Sequence, residues 1–319
     1  MVSAQQAGGD CLYKYIFKRL LMMIPILLGV TFVIFYMTYI TPGDPAIMIL
    51  GEGTSIEALE ELREEMGLND PFLVQYFNYV LRVAQGDFGT SYLTRRGVAE
   101  EIFARFPTTL QLAVYGTILS ILIGIPLGIL SATKQYTIFD TSATSIGLLA
   151  VSIPNFWLGL MLILLFALRL GWLPPTGIDT PAAWILPVVT LGTGSAAMVM
   201  RITRSSMLEV IRQDYIRTAR AKGQKESVII WNHALRNALL PVVTAVGLDF
   251  GMLLGGAVLT ETIYAIPGLG RYMVDSIRNR DIPTIQGGVL LLAFAFSLVN
   301  LLVDILYAFV DPRIRSQYK

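Results

Sequence analysis

A single cysteine, Cys11, and a single histidine, His233, are all that a chain of 319 residues offers of the commonest soft metal ligands. One cysteine excludes an internal disulfide and any cysteine-built metal cluster. One histidine cannot assemble a metal site alone, and His233, beside Asn232 and Arg236, is expected to make a polar surface contact. The signatures of bond chemistry are missing as well. There is no G-x-x-x-x-G-K-[ST] phosphate loop, no H-E-x-x-H and no G-x-S-x-G, so the chain has no standard means of cradling a nucleotide or of presenting a zinc-bound or serine nucleophile. No catalytic residue, cofactor site or metal site is therefore expected on this chain, and ATP-driven work would need another subunit. Charge is scarce too, at 15% of residues. The net charge of +1 says nothing of nucleic acid, and no such partner is expected; the informative quantity is how charge divides between loops.

What the chain has in excess is apolar surface. Hydrophobic residues make up 54% of it, and a soluble fold of this composition would expose large apolar patches, so its partner is a lipid bilayer. A spanning helix needs roughly 20 apolar residues. Six runs qualify: Leu20 to Ile40, Thr108 to Thr133, Thr141 to Leu168, Thr180 to Met200, Asn237 to Thr260 and Ile282 to Val310. Pro25, Pro126, Pro154 and Pro187 within them are expected to kink rather than break their helices, because neighbours satisfy the freed carbonyls. The first run follows Lys14, Lys18 and Arg19, exceeds a signal-peptide core and is closed by no small-residue cleavage site, which predicts a retained anchor. Small residues in Gly192 to Ala197 and Gly251 to Gly256 are expected to let helix backbones approach.

Lys and Arg set the orientation. With six spans, the termini share a side with loops 134–140 and 201–236, which together carry fifteen basic residues against nine on the other side. Residues 1–19 and the tail 311–319 are thus expected in the cytoplasm, with 20–40 the first span and 108–310 a five-helix core. The segment 41–107 falls outside and has helix signals of its own. Thr54 and Glu57 are placed as a capping box, Ile56, Leu59, Leu62 and Met66 recur at helical spacing, and Gly67 stops the pattern. A second helix starts at Asn69-Asp70-Pro71, runs through Phe72, Tyr76, Phe77, Val80 and Leu81, and ends at Gly86. Glu57, Glu60, Glu61, Glu64 and Glu65 give this small extracytoplasmic helical insertion an acidic surface, suited to packing over the bundle or to docking an external partner.

The stretch from Arg201 to Pro241 is polar and basic. Eight basic residues (Arg201, Arg204, Arg212, Arg217, Arg220, Lys222, Lys225, Arg236) face three acids (Glu209, Asp214, Glu226). Met207, Leu208, Ile211 and Tyr215 recur at helical spacing, Gly223 stops the pattern, and Val228, Trp231 and Leu235 begin another, which predicts helix, glycine break, helix outside the bilayer. Two acids lie inside spans, where an ionisable group is a candidate functional site. Asp304, near the end of the last span, is expected to reach the interface or pair with Arg313 or Arg315. Asp249 lies deeper and is a candidate for lining a pathway or bonding between helices; alone, it makes a poor proton relay.

The run Asp214-Tyr215-Ile216-Arg217-Thr218-Ala219-Arg220-Ala221-Lys222-Gly223, followed by His233-Ala234-Leu235-Arg236-Asn237-Ala238-Leu239-Leu240-Pro241, resembles the cytoplasmic signature loop of permease subunits of binding-protein-dependent ABC importers, and within them the dipeptide/oligopeptide/nickel family. Thr41-Pro42-Gly43-Asp44-Pro45, Gly86-Asp87-Phe88-Gly89-Thr90-Ser91, Ile266-Pro267-Gly268-Leu269-Gly270-Arg271 and Asp311-Pro312-Arg313 agree with it. The signature's leading glutamate is replaced by Arg217 and the spacing from Gly223 to Pro241 is long, as is usual in that branch. The resemblance implies an all-α integral membrane protein of the type I importer permease fold. Its loop would dock into an ATPase subunit, with Thr218, Ala219, Ala221 and Gly223 giving the close contact and Arg217, Arg220 and Lys222 a polar rim. The implied partners are a second permease, two ATPase subunits that bind ATP and Mg, and an extracytoplasmic solute-binding protein. Peptides are the expected substrate, with nickel chelates or glutathione as alternatives; an ion-coupled secondary transporter would need paired membrane acids, and a membrane-embedded enzyme a clustered site.

Overall fold

Apolar runs that cannot be hydrated must satisfy their backbones internally, and the chain does so almost wholly with helices. The computed structural model describes residues 2–51 and 53–310, with side chains described for 16–51 and 53–306. Five helices carry the crossing stretches: α1 (Val2–Ile40), α5 (Val98–Thr133), α8 (Ile185–Ile211), α11 (Leu235–Ile263) and α13 (Ile282–Val310). The run from Thr141 to Leu168 is not the single kinked helix its composition predicts. It is α6 (Ile138–Ser152) and α7 (Asn155–Leu162), the latter continuing as a π-helix over Ile163–Arg169, and the two are bent by 99°. The cause is local: proline pushes its predecessor out of the helical region, and Ile153 is extended at φ −79°, ψ 122°. Among the described residues, five helices are thus long and apolar enough to cross a membrane, and six spans result if the bent pair counts as one.

The bundle is built around α5 and α8, its most extensive helix pair. They run parallel and touch through their backbones: a Cβ on Gly124 would lie 2.7 Å from the Ala196 carbonyl oxygen, and one on Gly128 2.6 Å from Thr203 Cβ. In the small-residue runs, Gly192 faces the Gly116 carbonyl and Gly251 meets Phe296, so packing explains both, whereas Gly255 has open space beside it. Helix α13 returns antiparallel to α11, with Gly251 against Phe296 and Gly247 against Val303. Helix α1 lies antiparallel to α13, since Gln286 donates to Thr38 Oγ1 at 2.8 Å at one end and Arg19 meets Asp304 at 2.9 Å at the other. Both ends of the bundle sequence therefore lie on the side where α8 leaves and α11 begins.

The segment between α1 and α5 covers the opposite end. It holds α2 (Pro45–Leu50), α3 (Ile56–Glu65) and α4 (Phe72–Ala84). Helix α4 lies on α1 through rings: Phe32, Phe35, Tyr36 and Tyr39 pack on Phe72, and the Tyr76 hydroxyl donates to the Leu28 carbonyl at 3.0 Å. Helix α3 is capped by Ser55, which accepts from the Ala58 N–H, and not by Thr54, whose hydroxyl turns back to the Leu50 carbonyl. Its apolar stripe is thin, with Ile56 exposed and no residue fully buried. The five glutamates are exposed as expected, and Arg63 anchors the helix by bonding Asp44, the N-cap of α2. Strands are absent among the described residues apart from one bridge between Thr90 and Gly97.

Candidate functional site

At the end where the first span begins and α13 finishes, the stretch from Arg201 to Pro241 forms a folded elbow. Helix α8 continues to Ile211, so Met207, Leu208 and Ile211 belong to it; the chain turns at Arg212 and Gln213, and Tyr215 lies on a separate helix, α9 (Asp214–Ala221). One helical pattern had been expected across all four residues. Gly223 ends α9 at φ +75°, with its N–H on the Arg220 carbonyl and the Gln224 N–H on that of Ala219. That paired closure requires a left-handed residue, which glycine adopts without a Cβ penalty. A short α10 (Glu226–Val228) and a π-helix over Ile229–Ala234 then lead into α11. Pro241 falls inside α11 and does not mark its start.

The elbow is amphipathic and stapled. Ile216 and Ala219 turn inward onto Ile129, Met207, Ile229 and Ala238 from four other elements. Full burial of Ile216 contributes about 2 kcal/mol relative to exposure. Ala219, expected at the docking contact, is thus committed to the protein's own core. Arg217, Thr218, Arg220, Ala221, Lys222 and Gly223 all face outward. Arg220 reaches across the glycine break to Glu226 with two bonds, of 2.6 and 3.2 Å. The Glu226 carboxylate holds the Arg220 guanidinium above its ordinary value. Arg220 therefore ties the two halves of the elbow together, and Asn237 donates to the Tyr215 hydroxyl at 2.8 Å on the same side. What remains presented is a rim of Arg217, Thr218, Ala221, Lys222 and Gly223 on a held backbone. His233 is half-buried on the π-helix, and its carbonyl accepts from Asn237.

Of the acids within spans, Asp249 is 7% exposed, with Ser195 of α8 in hydrogen-bonding reach and its Oδ2 unpaired. Asp304 pairs with Arg19 on the first helix; Arg313, Arg315, the tail 311–319 and the Asp311-Pro312-Arg313 motif lie outside the described residues.

Three of the buried carboxylates that the sequence did not single out sit immediately beside an apolar run. Asp140, in the first turn of α6, receives Arg204 Nε at 2.7 Å and Nη2 at 2.9 Å, the Ser131 hydroxyl, and the Tyr136 N–H at 3.0 Å. Glu261, fully buried near the end of α11, accepts the Thr109 hydroxyl at 2.5 Å and the Arg271 N–H at 2.9 Å, so it caps α12 (Leu269–Arg278). A Cβ on Gly268 would overlap this carboxylate, which accounts for a glycine in the Ile266 to Arg271 motif. Asp281 accepts the Ser91 and Thr284 hydroxyls at 2.6 and 2.7 Å and the Tyr92 N–H at 2.9 Å. It ties the Gly86 to Ser91 motif to the start of α13.

The family described as the inner membrane component of binding-protein-dependent transport systems matches residues 124–316, and the N-terminal component of such membrane proteins matches residues 12–113. The dipeptide transport system permease protein DppB of Alkalihalophilus pseudofirmus is 46% identical over 329 residues, 94% of this chain and 99% of that one. The glutathione transport system permease protein GsiC of Escherichia coli strain K12 is 43% identical over 302 residues, 95% of this chain and 99% of that one. Among solved structures, an inward-facing MetNI methionine ABC transporter aligns with a TM-score of 0.55 at 22% identity, covering 66% of this chain and 96% of the other, and shares the fold. Two family profiles that together span nearly all of the chain, near full-length relatives and a helical bundle of importer type lead to one statement: the chain belongs to the permease components of binding-protein-dependent ABC importers, in their peptide branch.

Proposed function

We propose that this permease forms half of a translocation pathway for di- or oligopeptides and that the elbow is where ATPase subunits grip it. Glutathione, itself a short peptide, is the nearest alternative cargo, and nickel chelates a further one. The observation that carries the mechanical reading is that α9 is fastened from beneath by Ile216 and Ala219 and across by Arg220, while Thr218, Ala221 and Gly223 stay outward and small. A helix so held moves as a lever when pushed, and small outward residues let a partner surface approach its backbone. The complete importer would comprise this chain, a second permease, two ATPase subunits and a solute-binding protein. ATP and Mg are held by the ATPases, whose closure drives the bundle between its two accesses. Residues 1–19, 201–236 and 311–319 would lie in the cytoplasm and 41–107 outside, with 108–310 as the working core. Asp249 would line or brace the pathway.

The test uses Ala221→Trp in the assembled importer. Ala221 is exposed and helical, so the substitution adds bulk without the backbone strain that any side chain would meet at Gly223. The subunit should still insert, uptake should be lost, and ATP hydrolysis should no longer respond to loaded binding protein. Normal uptake would remove the elbow from the coupling path. The cargo is settled separately, by identifying the ligand that co-purifies with the partner binding protein.

A further inference from the structure

Below the elbow, the Asp140 carboxylate adds a polar tie among three packed helices, α5, α6 and α8. Arg204 of α8 meets it with a two-pronged fork. Ser131 near the end of α5 donates to it and also accepts from Arg204 Nε at 3.1 Å. The Tyr136 N–H, on the turn leading into α6, completes the set. The Asp140 side chain is 5% exposed and that of Arg204 26%, so the carboxylate is shielded from water while the guanidinium keeps an exposed edge, and a planar guanidinium fork on a carboxylate holds direction as well as distance. A buried pair of this kind adds little net stability over an apolar pair of the same shape, but breaking one half is costly. What it does supply is a fixed geometry.

The position of that geometry matters. Arg204 lies two turns before the end of α8, where the chain turns into the elbow. Asp140 lies in the first turn of α6, the leading half of the bent pair. The trailing half, α7, is held at Gly159, whose carbonyl accepts the Tyr264 hydroxyl at 3.2 Å, and that hydroxyl also bonds Thr190 of α8 at 2.8 Å. Between these two fixings the only break is at Ile153 and Pro154. A bent helix pair pinned at both ends and hinged in the middle converts a shift of one end into a change of its angle.

We infer that the Asp140–Arg204 clamp, with Ser131, hands displacement of the elbow to the bent α6–α7 pair, making Arg204 and Asp140 positioning residues for transport. This rests on the elbow being the point of ATPase engagement. Without the clamp, the elbow still docks and hydrolysis still proceeds, but α6 no longer follows.

The experiment is a double-mutant cycle in the full importer reconstituted with its binding protein: Asp140→Asn, Arg204→Gln, and both together. The readout is substrate moved per ATP hydrolysed, counted per assembled complex. Each single variant should lower that ratio about tenfold, within the usual range of coupling between sites, while ATPase binding is kept. The double variant should be no worse than either single one. Additive losses, or an unchanged ratio in the single variants, overturn the inference. A single variant that fails to assemble is replaced by Arg204→Lys, which keeps the charge but not the fork, and the ratio should again fall; assembly with a normal ratio would sink the clamp. Ala221→Trp, which abolishes ATPase stimulation itself, separates failure of the elbow reading from failure of this one.

Discussion

At the scale of single residues, Asp140, Glu261 and Asp281 decide where loops are tied to helices, and each is matched by a donor from a distant part of the chain. Glu261 shows the demand most sharply. Its two oxygens face the Thr109 hydroxyl and the amides opening α12, and all of these are donors. Replacing it by glutamine turns one acceptor into a donor aimed at a donor. A buried polar group left unpaired costs about 1–3 kcal/mol. Glu261→Gln should therefore lower the melting temperature of the purified subunit by roughly 5 °C, as read by tryptophan fluorescence, and an unchanged melting point would mean that the network tolerates the amide. Such residues were hard to find in the sequence, because an acid at the edge of an apolar run resembles ordinary interfacial charge. Their partners, 152 residues away for Thr109 and 190 for Ser91, leave no local trace. The bond from Arg220 to Glu226 left no trace for the same kind of reason: the charge was legible, but the staple depends on how tightly Gly223 folds the chain back.

At the scale of elements, apolar length marked five unbroken stretches and a sixth, but not the 99° bend within that sixth. The signal that would have corrected it was present: Ile153 precedes Pro154, and a proline there favours extension over helix at the residue before it. Pro25 and Pro126 lie inside helices that stay continuous, so proline alone did not discriminate, and the bend depends on the neighbours of α6 and α7. The α3 cap moved by one residue for a smaller cause, since either Thr54 or Ser55 precedes an apolar pattern and only the turn at Gly53 decides between them. The glycine seam of α5 and α8 offers a test that separates helix propensity from packing. Glycine to alanine within a helix gains up to about 1 kcal/mol of propensity. At Gly29 of α1, nothing lies near the added methyl, so Gly29→Ala should leave the melting temperature level or raise it slightly. At Gly128 the methyl would meet Thr203 and the Met200 carbonyl, and forcing the pair apart costs about 1–3 kcal/mol. Gly128→Ala should lower the melting temperature despite its better propensity, and equal shifts in the two variants would remove the close seam as the reason for the glycine.

At the scale of the whole molecule, the distribution of charge and the direction of the helices can be set against each other. Arg19 on Asp304, and Gln286 on Thr38 at the far end, fix α1 antiparallel to α13. The glycine contacts of α11 fix α13 antiparallel to it. The start of the first span, the end of the last and the elbow therefore share one face of the bundle, and the acidic α3 and its companion α4 share the other. Basic residues crowd the first face, and such loops remain on the cytoplasmic side because moving Lys and Arg across the membrane is disfavoured. Helix packing alone leaves the bundle free to sit either way up, so a cytoplasmic place for this face is a prediction of the charge argument. It is checked with Lys225→Cys in a chain whose Cys11 is replaced by serine. Lys225 is exposed just past the glycine break, so a membrane-impermeant maleimide should label it in inside-out vesicles and not in intact cells. Thr94→Cys, exposed on the opposite end, should show the reverse. Labelling of the elbow from outside would invert the protein in the bilayer and, with it, take from the ATPases their only reach to α9.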